Sequence, residues 1–134
     1  MSKSIKFRND TYLDSSSVVH NKNKLSNILK DSGWQYPTLL NNWSNKNFSK
    51  CRYRKIGNIV YIEGVVGNNS STSKSTIFIL PKEYRPTYNY SSFPCRDGGG
   101  TSRIYVATDG TIVYEKATGD NTELSLYGIS FFVD

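Results

Sequence analysis

The sequence predicts an all-β fold: a jelly-roll-like β-sandwich head preceded by a short amino-terminal helix. Three observations predict it. From Trp34 onward every apolar stretch has strand length and ends in turn residues. These stretches recur every ~8–12 residues, the spacing of sandwiches and jelly rolls. The one helical periodicity lies before Gly33, where Val18, Leu25, Ile28 and Leu29 share a face behind the N-capping run Asp14-Ser15-Ser16-Ser17. A chain of 134 residues holds a single core, and no long internal repeat divides it.

The elements follow in order. Residues 5 to 13 alternate briefly around Ile5 and Phe7. The helix after them is short and its stripe thin, so it needs burial against its own domain or against copies of itself. Gly33 serves as its stop. Strands are expected at about 38–43, 50–56, 59–67, 75–80, 88–95, 102–107, 111–116 and 122–133. Gly57-Asn58 and Asp109-Gly110 make hairpin turns, the second of type I′, and Asn68-Asn69-Ser70-Ser71 makes a loop. Pro81 closes the run Ile77-Phe78-Ile79-Leu80, because proline cannot donate to a ladder, and Pro86 keeps 82–85 in a turn. This organisation divides the chain into an amino-terminal strand and helix segment, 1–33, and a β head, 34–134.

Composition narrows the chemistry. Seventeen Lys and Arg against eleven Asp and Glu give a net charge of +6, which favours an anionic partner. Two cysteines, Cys51 and Cys95, and one histidine, His20, cannot supply the four ligands of a structural zinc site. Both cysteines sit in strand-like stretches and read as core thiols, expected reduced at synthesis because no export signal precedes them, with a Cys51–Cys95 disulfide still open. No apolar run is long enough to span a membrane, so no membrane partner is expected. Asp97-Gly98-Gly99-Gly100 lacks the Gly-Lys-Ser/Thr and the following helix of a phosphate-binding loop. No cofactor, metal or catalytic residue is expected. A glycan-cleaving enzyme would need paired carboxylates, for which only Asp97, Asp109, Glu115 and Asp120 are near one another.

The basic run Lys46, Lys50, Arg52, Arg54 and Lys55, interleaved with Phe48 and Tyr53, admits two readings. It could be a single-stranded nucleic-acid stacking groove. The alternation of Arg52 and Arg54 with Tyr53 favours the solvent face of one strand, where basic residues discourage edge pairing, so a nucleic-acid partner is not expected.

The order of several motifs resembles the tail-fibre and baseplate receptor-binding proteins of phages that infect Gram-positive bacteria. These are Ser4-Ile5-Lys6-Phe7-Arg8-Asn9, Leu13-Asp14-Ser15-Ser16-Ser17-Val18-Val19-His20-Asn21, Thr38-Leu39-Leu40-Asn41-Asn42-Trp43, Tyr53-Arg54-Lys55-Ile56-Gly57-Asn58, Leu80-Pro81-Lys82-Glu83-Tyr84-Arg85-Pro86 and Leu124-Ser125-Leu126-Tyr127-Gly128-Ile129. The resemblance implies a homotrimeric virion adhesin of the tail or fibre, assembled in the host cytoplasm. It would dock on other tail or baseplate proteins and bind a host cell-wall saccharide or teichoic acid without catalysis. A minor accessory head-fibre protein is the alternative within that class. The trimer interface is expected at Val18, Leu25 and Ile28. The family transfers no binding residue, so the receptor site is read from loop chemistry. Tyr88 and Tyr90 serve as stacking platforms, Arg96 and Asp97 flank the glycines, and Arg103 pairs with phosphate or hydroxyl groups.

Overall fold

A computed structural model describes residues 30–133 together with the paired strands β1 (Ile5–Lys6) and β2 (Tyr12–Leu13). The expected helix and the residues Val18, Leu25 and Ile28 lie outside the described residues. Ten strands follow: β3 (Trp43–Asn45), β4 (Arg52–Ile56), β5 (Ile59–Glu63), β6 (Val65–Asn68), β7 (Lys74–Ile79), β8 (Tyr90–Asp97), β9 (Gly100–Val106), β10 (Thr111–Glu115), β11 (Leu124–Ser125) and β12 (Ile129–Phe132). Seven form one sheet in the order β3-β6-β11-β8-β9-β10-β7, and three form another, β12-β5-β4. Every pairing is antiparallel. The fold is all-β, as the sequence predicts.

Alternation decides which face each strand buries. In the three-stranded sheet Tyr53, Val60, Ile62, Ile129 and Phe131 point inward, while Arg52, Arg54, Tyr61, Ser130 and Phe132 point out. In the larger sheet Ile104, Val106, Ile112 and Tyr114 bury the opposing face. The two sheets share one core: Tyr53 of β4 stacks on Phe78 of β7 at 6.2 Å, and Phe131 of β12 meets Tyr90 of β8 at 5.7 Å.

The larger sheet is nearly closed on itself. Residues 40–43, expected as part of a strand, instead turn through left-handed Asn41 (φ 52°) and Asn42 (φ 67°), which asparagine tolerates better than other non-glycine residues. The turn spans the gap between the edge strands β3 and β7. Leu40 N–H donates to the Ile77 carbonyl at 2.8 Å, Asn41 Nδ2 to the Thr76 carbonyl at 2.8 Å, and Trp43 Nε1 to Ser75 Oγ at 2.6 Å. Trp43 then packs edge-on against Tyr114 at 5.0 Å.

Two stretches expected as single strands, 59–67 and 122–133, are each broken where they cross from one sheet to the other. β5 and β12 pair in the small sheet, and β6 and β11 pair in the large one. Gly64 forms the corner, its φ of 122° closed to other residues, and a Cβ there would lie 2.6 Å from both Cys51 Cα and the Lys50 carbonyl. Its carbonyl accepts Leu126 N–H at 2.8 Å, which carries the ladder around the bend. Three steps from Leu126 to Ile129 face two from Gly64 to Ile62, so the outer strand holds an extra residue, a β-bulge that pushes Tyr127 into solvent.

The turns follow the glycines. Gly57 (φ 61°) leads the two-residue β4–β5 hairpin, and Gly98 (φ 59°) leads the β8–β9 hairpin. A positive φ at the first central residue alone is the type II′ arrangement. The Asp109-Gly110 hairpin forms, but not as type I′. Gly110 N–H returns to the Ala107 carbonyl at 2.9 Å, and only Gly110 (φ 90°) is left-handed, which makes a type I turn with a glycine bulge. The Asp109 carboxylate accepts the Thr111 N–H and hydroxyl at 3.0 and 2.7 Å.

Residues 30–36, which the expected boundary at 33 divides, run along the free edge of β4. Ser32 N–H reaches the Lys55 carbonyl at 2.9 Å, and Gln35 exchanges two bonds with Tyr53 at 2.8 and 2.9 Å. Gly33 is left-handed (φ 71°), as a helix stop would be, yet Lys30–Ser32 before it are extended alongside β4. Asp31 pins this segment. Its carboxylate accepts Arg54 Nε at 2.8 Å and Gly33 N–H at 2.8 Å, which lowers its pKa to about 2.

Two outcomes test this architecture. Gly64→Ala should cost about 2–4 kcal/mol in urea unfolding, combining backbone strain with a clash against chain that cannot move aside. Gly99→Ala, with nothing near its would-be Cβ, should change the midpoint little. In acid, the Asp31–Arg54 pair contributes stability above the unfolded pKa near 3.8 and loses it as pH falls through about 2. The stability difference between wild type and Asp31→Asn should therefore be constant above pH ~5 and shrink below ~4; a difference that persists unchanged at pH ~2 would contradict the assignment.

Candidate functional site

The residues expected to bind receptor do not converge. Tyr88 is 74% exposed in the loop before β8. Tyr90 is half-buried, stacked on Phe93 at 6.3 Å and held by Phe131. Arg96 lies at the far end of β8, roughly 20 Å from Tyr90 at the usual strand rise. Its register partner Thr101 places it on the outer face with Arg103. Arg103 is itself paired to Glu115 through Nε at 2.8 Å and Nη2 at 2.7 Å.

Asp97 is placed differently from the surface role expected of it. It is fully buried, and its Oδ2 accepts Ser102 Oγ at 2.7 Å and the Tyr114 hydroxyl at 2.5 Å. Burial, reinforced by this carboxylate, pushes the Tyr114 phenol up to about 12. Asp97 thus belongs to the interior of its hairpin, against which Gly119 packs too closely to admit a side chain.

The three carboxylates grouped with it in the sequence, Asp109, Glu115 and Asp120, are also engaged. Asp109 accepts its two bonds from Thr111, Asp120 accepts the Thr122 hydroxyl and N–H at 2.6 and 3.2 Å, and Glu115 holds Arg103. These donors keep the Asp109 and Asp120 carboxyls below their ordinary range, led by the Thr111 N–H and the Thr122 hydroxyl. Cys51 and Cys95 are free and buried, and burial pushes both thiols up to about 12, so neither is a thiolate nucleophile at neutral pH. Among the described residues no cluster of three or more His, Cys, Asp or Glu could hold a metal ion.

The basic run is split by the fold. Tyr53 enters the core, and Arg52 and Arg54 emerge on the outer face of β4, where the Trp34 ring lies 4.0 and 5.4 Å from their guanidinium carbons. Arg54 pairs with Asp31. Arg52 gives Nε and Nη2 to Glu63 at 2.7 and 2.5 Å. Glu63, helped by the Tyr36 hydroxyl, raises its pKa further. Lys55 turns elsewhere, donating to the Glu83 carbonyl at 2.8 Å beside Tyr84.

What remains is a cleft of about 300 Å³ lined by Tyr36, Phe48, Ser49, Lys50, Arg52 and Tyr127. Three separate segments build it. Tyr36 ends the strip beside β4, Phe48–Lys50 lead from β3 into β4, and Tyr127 rides the corner bulge. Ser49 Oγ and the Tyr127 hydroxyl are hydrogen-bonded at 2.7 Å. Neither Tyr36 nor Tyr127 carries a local signal of a binding role in the sequence, because only the closing of the corner brings them to the basic run. A second cleft, about 500 Å³, lies around Lys30, Ser32, Lys55, Gly57, Glu83 and Tyr84.

No protein-family model and no curated protein matches the sequence. Solved structures do match the fold. The receptor-binding protein gp15 of Listeria phage PSA superposes with a TM-score of 0.63 at 20% identity, over 89% of this chain and 74% of that one. The head domain of lactococcal phage bIL170 superposes with a TM-score of 0.50 at 14% identity, over 75% of this chain and 97% of that one. The structural neighbours of this chain are receptor-binding proteins of phages that infect Gram-positive bacteria, and their fold is its fold.

Proposed function

We propose that the chain is a virion adhesin of a phage tail or baseplate, which attaches the particle to a host cell-surface glycopolymer without cleaving it. The observation that carries this reading is the fold shared with phage receptor-binding proteins, over 89% of the chain for the Listeria phage protein and 75% for the lactococcal phage head domain. The surface chemistry supports it. Exposed tyrosines and a net charge of +6 suit an anionic saccharide such as teichoic acid. The carboxylates that a glycan-cleaving enzyme would use are held in turns, ion pairs or the core.

In this reading the adhesin is a homotrimer, with the stripe at Val18, Leu25 and Ile28 joining copies through the amino-terminal segment and other tail proteins docking on the assembly. Trimerisation makes weak contacts effective, because a second linked site binds at high effective concentration. The protein should sediment with purified Gram-positive cell walls and stay in solution once the wall's anionic glycopolymers are stripped by acid. Light scattering should give about three times the 15.2 kDa chain mass. Retention on stripped walls would overturn glycopolymer recognition, a monomer would overturn the trimer, and shortening of the released polymer by pure protein would overturn the non-catalytic role.

A further inference from the structure

We infer that the cleft between Tyr36, Phe48 and Tyr127 holds one anionic sugar unit, its ring against the aromatics and its negative group at Lys50 and Arg52. This rests on the adhesin reading and gives it a place on the molecule. Of eight large apolar side chains exposed among the described residues, three line this one cleft: Phe48 at 70%, Tyr36 at 60% and Tyr127 at 53%. Single exposed aromatics are ordinary, but a cluster drawn from distant segments marks an interaction site. Tyr127 reaches it only through the corner bulge, a device found where a strand must re-aim a side chain.

The polar groups complement a sugar. The Ser49 and Tyr127 hydroxyls bind each other at 2.7 Å, and each retains further capacity, since a hydroxyl offers one donor and two acceptor positions. Two adjacent sugar hydroxyls find matching partners there. Arg52 directs one edge of its guanidinium at Glu63 and also meets the Tyr36 hydroxyl, which together leave further N–H donors of its five, and the Trp34 ring lies over the group at 4.0 Å. Preorganisation of this kind reduces the entropy lost on binding. Among the described residues Lys50 is exposed and has no carboxylate within 4 Å.

Size and surroundings favour a saccharide over a nucleic-acid strand. A volume of about 300 Å³ is at the small end of ligand sites and suits one ring with a charged substituent. A strand-binding groove would continue along a row of cations. Among the described residues Arg54 is paired to Asp31 and Lys55 donates to the Glu83 carbonyl, so neither continues a row of cations along β4 from the cleft. The charged group is a phosphate or a carboxylate, for which Lys and Arg offer the same chemistry.

Trp34 is the reporter, since it touches Arg52 while Trp43 is buried. Titrations at low salt would use a panel of neutral, phosphorylated and uronic monosaccharides, with octathymidylate as the nucleic-acid probe. Charged sugars should perturb the fluorescence at millimolar concentrations, with neutral sugars weaker, and the panel separates phosphate from carboxylate. Phe48→Ala and Lys50→Ala, at exposed positions that should leave the melting temperature in place, should each weaken binding about tenfold or more. Tyr88→Ala and Arg103→Ala should not. The same variants, tested for wall sedimentation, separate the two readings. Walls that retain Phe48→Ala and Lys50→Ala but release Tyr88→Ala overturn the cleft and leave the adhesin standing. Failure of wild type on walls, with charged sugars still bound, overturns the adhesin and leaves the cleft. Tighter binding of octathymidylate than of any sugar, or no response to any sugar, overturns the sugar site.

Discussion

The hydrogen bond from Leu126 N–H to the Gly64 carbonyl, with Gly64 pressed on the Cys51 backbone, is the constraint on which the arrangement of the surface depends. A sheet that changes direction must either lose ladder bonds or bend two neighbouring strands at the same level. This chain bends both. β5 continues into β6 and β11 into β12 across one corner, and the bond between them keeps the pairing intact through the bend. Absence of a Cβ at Gly64 lets Lys50 and Cys51 approach, and Val65 N–H then reaches the Ser49 carbonyl at 3.3 Å. The corner therefore fixes Ser49, Lys50 and Tyr127 relative to one another, although they lie on distant parts of the chain.

A second set of constraints is polar and internal. The sequence places much of its weight in Asn, Ser and Thr, which suggests a hydrogen-bonding surface, yet several of these groups staple loops from within. Buried Asn121 donates to the Asn68 and Ser70 carbonyls at 2.9 and 3.0 Å, and Asn68 donates to the Asn41 carbonyl at 2.9 Å. These bonds tie the loop before β11, the end of β6 and the turn before β3 into one unit. Asp97 does the same for its hairpin through Ser102 and Tyr114. A buried side chain with such partners is costly to isolate, because removing one partner leaves the other desolvated.

Strand existence was legible because alternation and turn residues act locally. Five of the expected stretches lie on single observed strands within a few residues, and Pro81 follows β7 closely, as a residue without an N–H should. The breaks were not legible in the apolar pattern. Val65 and Val66 continue the run of β5, and only Gly64 inside it hinted at a close backbone approach. Asp97 looks like part of a glycine loop in the sequence, although its position two residues after Cys95 on one strand puts both side chains on the same inward face. Arg52 and Arg54 were legible as an outer face, since Tyr53 between them had to point inward. Tyr36 and Tyr127 were not, because their proximity is a property of the corner and carries no local signal.

The charge of the chain acts differently at long and short range. A net +6 attracts an anionic surface from beyond contact distance, but salt screens it within about 8–10 Å at physiological strength. Close to the protein, most of the basic run is already satisfied: Arg54 by Asp31, Arg52 in part by Glu63, Lys55 by a carbonyl. Among the described residues that line the cleft, the positive groups left for a ligand are Lys50 and the N–H donors of Arg52 that Glu63 does not take. At the proposed site, selectivity would follow from what surrounds those two groups. An anion alone would find them little better than solvent-exposed lysines elsewhere, whereas an anion carried on a ring can also cover Phe48 and Tyr36 and release the water over them. Contacts of Arg52 with Glu63 and Trp34 fix where its charge is offered, so at the proposed site geometry would discriminate where net charge does not.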